Sequence, residues 1–450
     1  MNFDDIKNIH FVGIGGIGMS AMAEILAVEG VRVSGCDLKR SAATDLLVSR
    51  GIGVTFGHDA SHVAGNDLVV ITPALRGEHP EVDAARMQGI RIMKRSEVLG
   101  AIVNRKRSIG VSGTHGKTTT SAMISVVLEH AGLDPTVIIG GIVRNLKTNA
   151  KRGAGDFLVV EADEYDRTFH HLHPEIAVVT NIEPDHLEYY KSFEAIVEAF
   201  RIYAGGIKRG GVVIGCCDDE HVARLLRHAE QRRVGYGLNE GADVRAVNLE
   251  FSERGSSFEV PGVGWFKLFV PGEHNVQNAL AAIAVGRELG IEPASIAAGL
   301  ASFIGVDRRF QILGDYQGAL IVDDYAHHPT EVRATLEAAR GGYPNRRIVA
   351  LFQPHLYSRT RDFAKEFAEA LAIADVPIVS PIYAAREHPV EGVSARLIAD
   401  AVKGIEFLDR SNSQIVNELR RRLRPTDIFI AMGAGDVHEI AEQLVRGEDG

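Results

Sequence analysis

Short apolar, β-branched runs alternate with helical patterns along this chain. The run at 9–12 leads through glycines into a helical pattern over 13–28. The same succession recurs at 107–111 before 117–131, and at 347–352 before 359–374. Further runs of strand character lie at 31–35, 68–72, 157–161, 176–181, 212–215, 319–322, 377–379 and 428–431. Strands that read as continuous apolar runs bury both sides, so the pattern predicts parallel sheets covered on both faces by helices. Residues 230–270 differ. Short alternating pieces with Gly and Pro, such as 257–261 and 265–270, predict a small antiparallel excursion there. A basic stretch at 104–107 and the run G-V-D-R-R-F at 305–310 interrupt the periodicity. They divide the chain at about 105 and 311, into domains 1–104, 105–311 and 312–450.

Composition narrows the class without changing this plan. The 450 residues are 45% apolar and 24% charged, as in an ordinary soluble globular protein of several domains. Fifty-nine acidic against 49 basic side chains leave a net charge of −10, which argues against a nucleic-acid-binding surface. No apolar run is long enough to insert into a membrane. Asp4 and Asp5 stand where a signal peptide carries basic residues, so no signal peptide is read. Cys36, Cys216 and Cys217 show neither C-x-x-C nor a Cys/His ligand spacing, which argues against disulfides and a structural zinc site. The expectation is a reduced, cytoplasmic enzyme.

Two glycine loops carry candidate chemistry. Gly13, Gly15 and Gly18 form G-x-G-x-x-G between a strand and a helix, with Gly16 inside the turn and Asp37 ending the next strand. Such a turn lets backbone N–H groups approach a diphosphate, and the acidic residue can accept a ribose hydroxyl. NAD, FAD and a UDP-sugar all fit, as does a turn that binds nothing. The second loop reads G-V-S-G-T-H-G-K-T-T-T over 110–120. Gly113 and Gly116 allow the backbone to wrap a triphosphate, Lys117 can reach its terminal phosphates, and Thr118 can ligate Mg²⁺. Val111 stands where the full Walker pattern has glycine. Carboxylates follow two later strands, in E-A-D-E-Y-D at 161–166 and T-N-I-E-P-D-H at 180–186. Mg²⁺ takes oxygen ligands, so Glu161 with Thr118 is the natural pair; His186 is either a further ligand or a structural histidine.

Taken in order, these motifs resemble the Mur ligases. The match also includes E-H-N-V-Q-N-A-L-A-A, G-V-D-R-R-F, D-D-Y-A-H-H-P-T-E-V, F-Q-P-H-L-Y-S-R-T and M-G-A-G-D-V, and spans nearly the whole chain. The resemblance implies three α/β domains: an N-terminal Rossmann-like domain for UDP, a central P-loop-type ATPase and a C-terminal Rossmann-like domain. It implies that ATP phosphorylates the lactyl carboxylate of UDP-N-acetylmuramate and that the amine of L-alanine attacks the acyl phosphate, with Mg²⁺ as cofactor. Gly13, Gly15, Gly16, Gly18 and Asp37 then bind the UDP-sugar. Gly113, Thr114, His115, Gly116, Lys117, Thr118 and Thr119 bind ATP, with Asn275, Asn278, Arg309 and Asp324. Thr118, Glu161 and His186 hold the metal. Lys117, Glu161 and His327 are the catalytic set, and His355 and Arg359 contact amino acid or product. Without the resemblance, Asn275 and Asn278 read as helix surface. Where the family commonly carries Arg after F-Q-P-H, this chain has Leu356. The helix at 193–203 lacks the lysine that several later-acting members carbamylate. Competing readings are a recycling ligase that adds a tripeptide to the same UDP-sugar, an NAD-dependent oxidoreductase and a P-loop regulatory protein.

Overall fold

Alternation within the first strand separates two layers. Ile9 and Phe11 enter one hydrophobic cluster, while Val12 enters another with Cys36, Val63 and Val69. The computed structural model describes residues 5–446 except Pro73, Ala74, Arg76, Arg254 and Arg386. Strands β1 (Asn8–Val12), β2 (Arg32–Asp37), β3 (Gly53–Phe56), β4 (Leu68–Ile71) and β5 (Arg91–Lys94) form a parallel sheet in the order β3-β2-β1-β4-β5. The order reverses between β1 and β4, and the first glycine loop leaves β1 at this switch point.

A second sheet comprises β6 (Arg107–Ser112), β7 (Thr136–Val143), β8 (Thr148–Lys151), β9 (Phe157–Glu161), β10 (Ile176–Val179), β11 (Val212–Cys216), β12 (Arg232–Gly237) and β13 (Val244–Arg245). Its order is β13-β12-β11-β10-β6-β9-β7-β8, and only the β7–β8 pairing is antiparallel. A single cluster of buried residues, from Ile9 and Met22 to Leu158 and Phe200, runs through this sheet and the first. The region 230–270 is thus only partly the separate excursion that its pattern predicts. Residues 232–237 join the parallel sheet, and β14 (Val247–Ser252), β15 (Gly255–Val260) and β16 (Gly264–Leu268) form a sheet of their own. The sequence R-R-V-G-Y-G hides the strand because Arg232 and Arg233 are exposed and only its glycine-flanked end is buried.

The last sheet contains β17 (Gln311–Tyr316), β18 (Ala319–Asp324), β19 (Arg347–Phe352), β20 (Val376–Val379), β21 (Glu406–Phe407) and β22 (Asp427–Met432). They lie in the order β17-β18-β22-β19-β20-β21, with β17 antiparallel and the rest parallel. Alternate residues feed two cores: Val322, Ala350 and Ile430 on one face, Ile321, Leu351 and Phe429 on the other. The helix expected over 359–374 is two helices, Tyr357–Asp362 and Ala364–Leu371, because Phe363 leaves helical geometry at φ −125° and ψ 21°.

The chain forms two compact units. One contains Met1–Val247, Val260–Gly264 and Gln277–Ser302; the other contains Asn248–Glu259, Trp265–Val276 and Phe303–Gly450. Among the described residues no helix is long and apolar enough to cross a membrane.

Candidate functional site

The first loop is pinned before it can meet a ligand. Gly13 turns with φ +78°, and the amides of Gly13 and Ile14 both donate to the Cys36 carbonyl at 2.9 Å. The Gly15 amide donates to Asp37 Oδ2 at 2.9 Å, so this carboxylate braces the loop as well as facing it. Gly16 precedes helix Ile17–Val28 and supplies no side-chain cap, which leaves first-turn amides for an anion. A Cβ on Gly18 would meet the Arg95 guanidinium at 2.6 Å. Arg95, absent from the sequence reading, also lies 4.0 Å from Asp163. No local pattern marks it, because β5 brings it to the loop from a distant part of the chain.

The second loop follows β6, whose sheet neighbours are β9 and β10. That order puts Glu161 on one side of the loop and Thr180 and Asn181 on the other. A Cβ on Gly113 would run into the Thr180 hydroxyl, and one on Gly116 would lie 2.8 Å from Asn278 Oδ1. The loop is closed by hydrogen bonds from the His115 amide to Asn181 Oδ1 (2.8 Å) and from the Glu183 amide to Thr114 Oγ1 (2.8 Å). Gly116, at φ +81°, starts helix Lys117–His130 without a side-chain cap. Thr119 is half-buried in the first turn, and the Thr120 hydroxyl donates to Asn278 Oδ1 at 3.0 Å.

Lys117 Nζ donates to the carbonyls of Gly113 (2.5 Å) and Thr114 (3.1 Å), and to Glu164 Oε1 and Oε2 at 3.0 and 2.9 Å. Burial alone would depress this ammonium; the Glu164 and Asp163 carboxylates outweigh it and hold its pKa above the ordinary lysine value. Glu161 accepts from the Gly140 amide at 2.7 Å and from the Thr118 hydroxyl, while burial pushes its pKa up. The structure therefore gathers Lys117, Thr118 and Glu161, and adds Glu164, which the sequence reading left unassigned within E-A-D-E-Y-D. His186, at φ +53°, faces Glu164 electrostatically and packs its ring 5.0 Å from Tyr165.

The second unit has its own gathering at the carboxyl ends of β18, β22 and β19, which are adjacent in the sheet. Asp324 accepts from the amides of Phe310 (2.9 Å) and Ala326 (2.8 Å) and from the Thr335 hydroxyl (3.1 Å). It thereby anchors the G-V-D-R-R-F turn, where Arg309 stacks over Tyr325 at 5.4 Å. His327 Nδ1 lies 3.1 Å from Glu331 Oε2, and its ring is 6.1 Å from that of His355. Arg359 is buried on the helix that follows Leu356, which is itself buried. Asn275 and Asn278 correct the surface reading: both are buried, and Asn275 Nδ2 donates to the Pro271 carbonyl at 2.6 Å.

Parallel α/β sheets, a glycine turn at a strand-order reversal and a lysine loop beside carboxylates define a multidomain α/β protein with two candidate phosphate loops. Residues 8–107 match the catalytic domain of the Mur ligase family, 111–286 the Mur ligase middle domain and 308–435 the Mur ligase glutamate ligase domain. The UDP-N-acetylmuramate–L-alanine ligase of Renibacterium salmoninarum is 45% identical over 452 residues, covering 99% of this chain and 97% of that protein. The enzyme of the same name from Geobacter sp. is 44% identical over 98% of both. The crystal structure of UDP-N-acetylmuramate-alanine ligase from Thermotoga maritima superposes with a TM-score of 0.81 at 33% identity, covering 98% of each chain. The chain belongs to the Mur ligase family.

Proposed function

We propose that the protein joins L-alanine to the lactyl carboxylate of UDP-N-acetylmuramate at the expense of ATP, a step in building peptidoglycan precursor. The observation that carries this reading is Lys117 at the head of an uncapped helix, with Thr118 hydrogen-bonded to Glu161 beside it. Its alanine-adding specificity is supported by full-length relatives of that name. The domain roles follow the same division: 1–104 for the UDP-sugar, 105–311 for ATP and 312–450 for ligation.

A carboxylate is a poor electrophile, so the reaction first needs a leaving group. A lactyl oxygen attacks the γ-phosphorus of ATP, the bond to the ADP oxygen breaks, and an acyl phosphate forms. The alanine amine then attacks the carbonyl carbon, phosphate departs with the bonding pair, and the nitrogen loses a proton. Lys117 and the first amides of helix Lys117–His130 stabilise the charge that shifts onto the β-phosphate. The paired oxygen donors Thr118 and Glu161 fit Mg²⁺, with His186 as a third candidate, and the ion supplies charge neutralisation on the phosphates. Gly13, Gly15, Gly16 and Gly18 are assigned to the UDP diphosphate. In the second unit, His327 is assigned to the reacting carboxylate, His355 and Arg359 to the amino acid or product, and Arg309 and Asp324 to nucleotide. The use of ATP as co-substrate and the absence of C-x-x-C or disulfide spacing support placing the proposed reaction in the cytoplasm.

The test is ATP consumption with each substrate omitted in turn. Turnover should require UDP-N-acetylmuramate and L-alanine together, and Lys117→Ala should reduce it at least about 100-fold in a folded protein. Turnover with a tripeptide in place of L-alanine would select the recycling reading instead.

A further inference from the structure

Glu81 opens helix Pro80–Met87 and is completely buried, yet no lysine or arginine neutralises it among the described residues. Histidines and a thiol surround it instead. Cys36 Sγ donates to Glu81 Oε2 at 2.9 Å, His62 Nδ1 lies 2.7 Å from Oε1, and His10 Nε2 lies 3.6 Å from Oε2. These residues come from β1, β2, the 3₁₀ turn Ala60–Val63 and the following helix, on the sheet face that carries Val12 and Val69. One ligand atom from each lies within 4.8 Å of every other.

The tautomer of His10 sharpens the point. Its Nδ1 is 2.9 Å from Ser34 Oγ, and that hydroxyl in turn donates to the Ile9 carbonyl at 3.5 Å. In the tautomer that donates Nδ1–H to Ser34, Nε2 turns its lone pair towards Glu81. Among the described residues Nε2 has no partner within hydrogen-bond geometry, its nearest carboxylate oxygen being Glu81 Oε2 at 3.6 Å, and His10 is only 2% exposed. A buried lone pair aimed at a carboxylate is unfavourable unless a cation lies between them. Sulfur, imidazole nitrogen and carboxylate oxygen together suit zinc and not the all-oxygen preference of Mg²⁺. Behind them, His58 Nδ1 lies 3.2 Å from Cys36 Sγ, and its ring packs edge-on to His79 at 4.4 Å. His58 Nδ1 also lies 3.6 Å from Glu81 Oε1, so it braces the same carboxylate and thiol.

We propose that His10, Cys36, His62 and Glu81 form a structural zinc site beneath the first glycine loop. Four protein ligands close the coordination sphere, so the role is structural and no water-activating position is left open. On binding, the Cys36 thiol proton is released to solvent and a sulfur–zinc bond takes its place, while His62 binds through Nδ1 with its proton on Nε2. The ion stiffens β2 at Cys36, whose carbonyl holds the amides of Gly13 and Ile14. It therefore acts on the loop through the backbone.

The full chain, stripped with chelator and reloaded with Co²⁺ or Zn²⁺ in excess Mg²⁺, tests this. One equivalent should survive gel filtration, and the cobalt form should show thiolate-to-metal charge-transfer absorption in the near ultraviolet. Cys36→Ser should abolish that absorption, and the more accessible His62→Gln should weaken retention at least about tenfold. Where Cys36→Ser fails to fold, His62→Gln and the wild-type spectrum decide alone. No charge-transfer band in the wild type, or one that persists in Cys36→Ser or is unaltered in retention by His62→Gln, overturns the proposal.

Discussion

Lys117 is held by two loop carbonyls and by both oxygens of Glu164, so the proposed nucleotide would exchange a carboxylate for phosphate at the same ammonium. Glu164→Gln keeps an acceptor but removes the competing charge. Calorimetry should then show a non-hydrolysable ATP analogue binding about tenfold more tightly, or about 1.4 kcal/mol. Weaker binding would mean that Glu164 itself serves the nucleotide or its metal. His274 gives a pH-dependent counterpart. Burial first, and then the Arg309 guanidinium, lower its pKa from 6.5 to about 4. A folded-state value below the unfolded one makes its stability contribution complete above pH 6.5. That contribution is lost as the pH falls towards 4, because the unfolded chain binds the proton first. For a half-buried ring the loss is about 1–2 kcal/mol after solvent screening. Urea unfolding of His274→Gln between pH 7 and 4.5 should show a correspondingly flatter dependence; an unchanged slope would exclude this origin.

Among the elements, the first glycine turn separates folding from binding cleanly. Gly13 needs its positive φ, and a Cβ at Gly15 would sit 2.8 Å from Asp37 Oδ2, so substitution at either disturbs the loop itself. Gly16 has ordinary extended angles, φ −65° and ψ 138°, and its added Cβ would meet nothing nearer than 3.6 Å. Gly16→Ala should therefore melt within about 2 °C of the parent. If the diphosphate lies against this turn, the same change raises the KM for the UDP-sugar at least about tenfold and leaves that for ATP unchanged. Equal effects on both would show that the two loops are not divided in this way. The strand–glycine–helix succession was legible here because each part leaves its mark on neighbouring residues. The strand at Arg232–Gly237 was not, since two exposed arginines and two glycines replace the apolar run.

At the scale of the molecule, two compact units, each with hydrophobic clusters of its own, predict more than one cooperative transition. The single tryptophan, Trp265, belongs to the second unit, whereas circular dichroism reads both. The two signals should give denaturant midpoints that do not coincide. UDP at about 100 times its dissociation constant should stabilise the first unit by about 2.7 kcal/mol and leave the tryptophan transition in place. Coincident transitions that move together would instead show the units unfolding as one.

The amino-acid order alone determined the alternating α/β plan, both glycine loops, and Lys117, Thr118 and Glu161. These features depend on backbone angles, hydrogen bonds and periodicities set within a few residues of one another. Tertiary structure decided which distant residues complete them. Sheet order carries Arg95 to Gly18 and folds Glu164 onto Lys117, and tertiary packing buries Asn275 and Asn278, which look like surface on an isolated helix. The gathering of His10, Cys36 and His62 on Glu81 shows the limit most plainly. Their spacing carries no ligand motif. They meet because β1 and β2 are adjacent in register and the chain after β3 returns across one face of the sheet, a relation that exists only once the strands have paired.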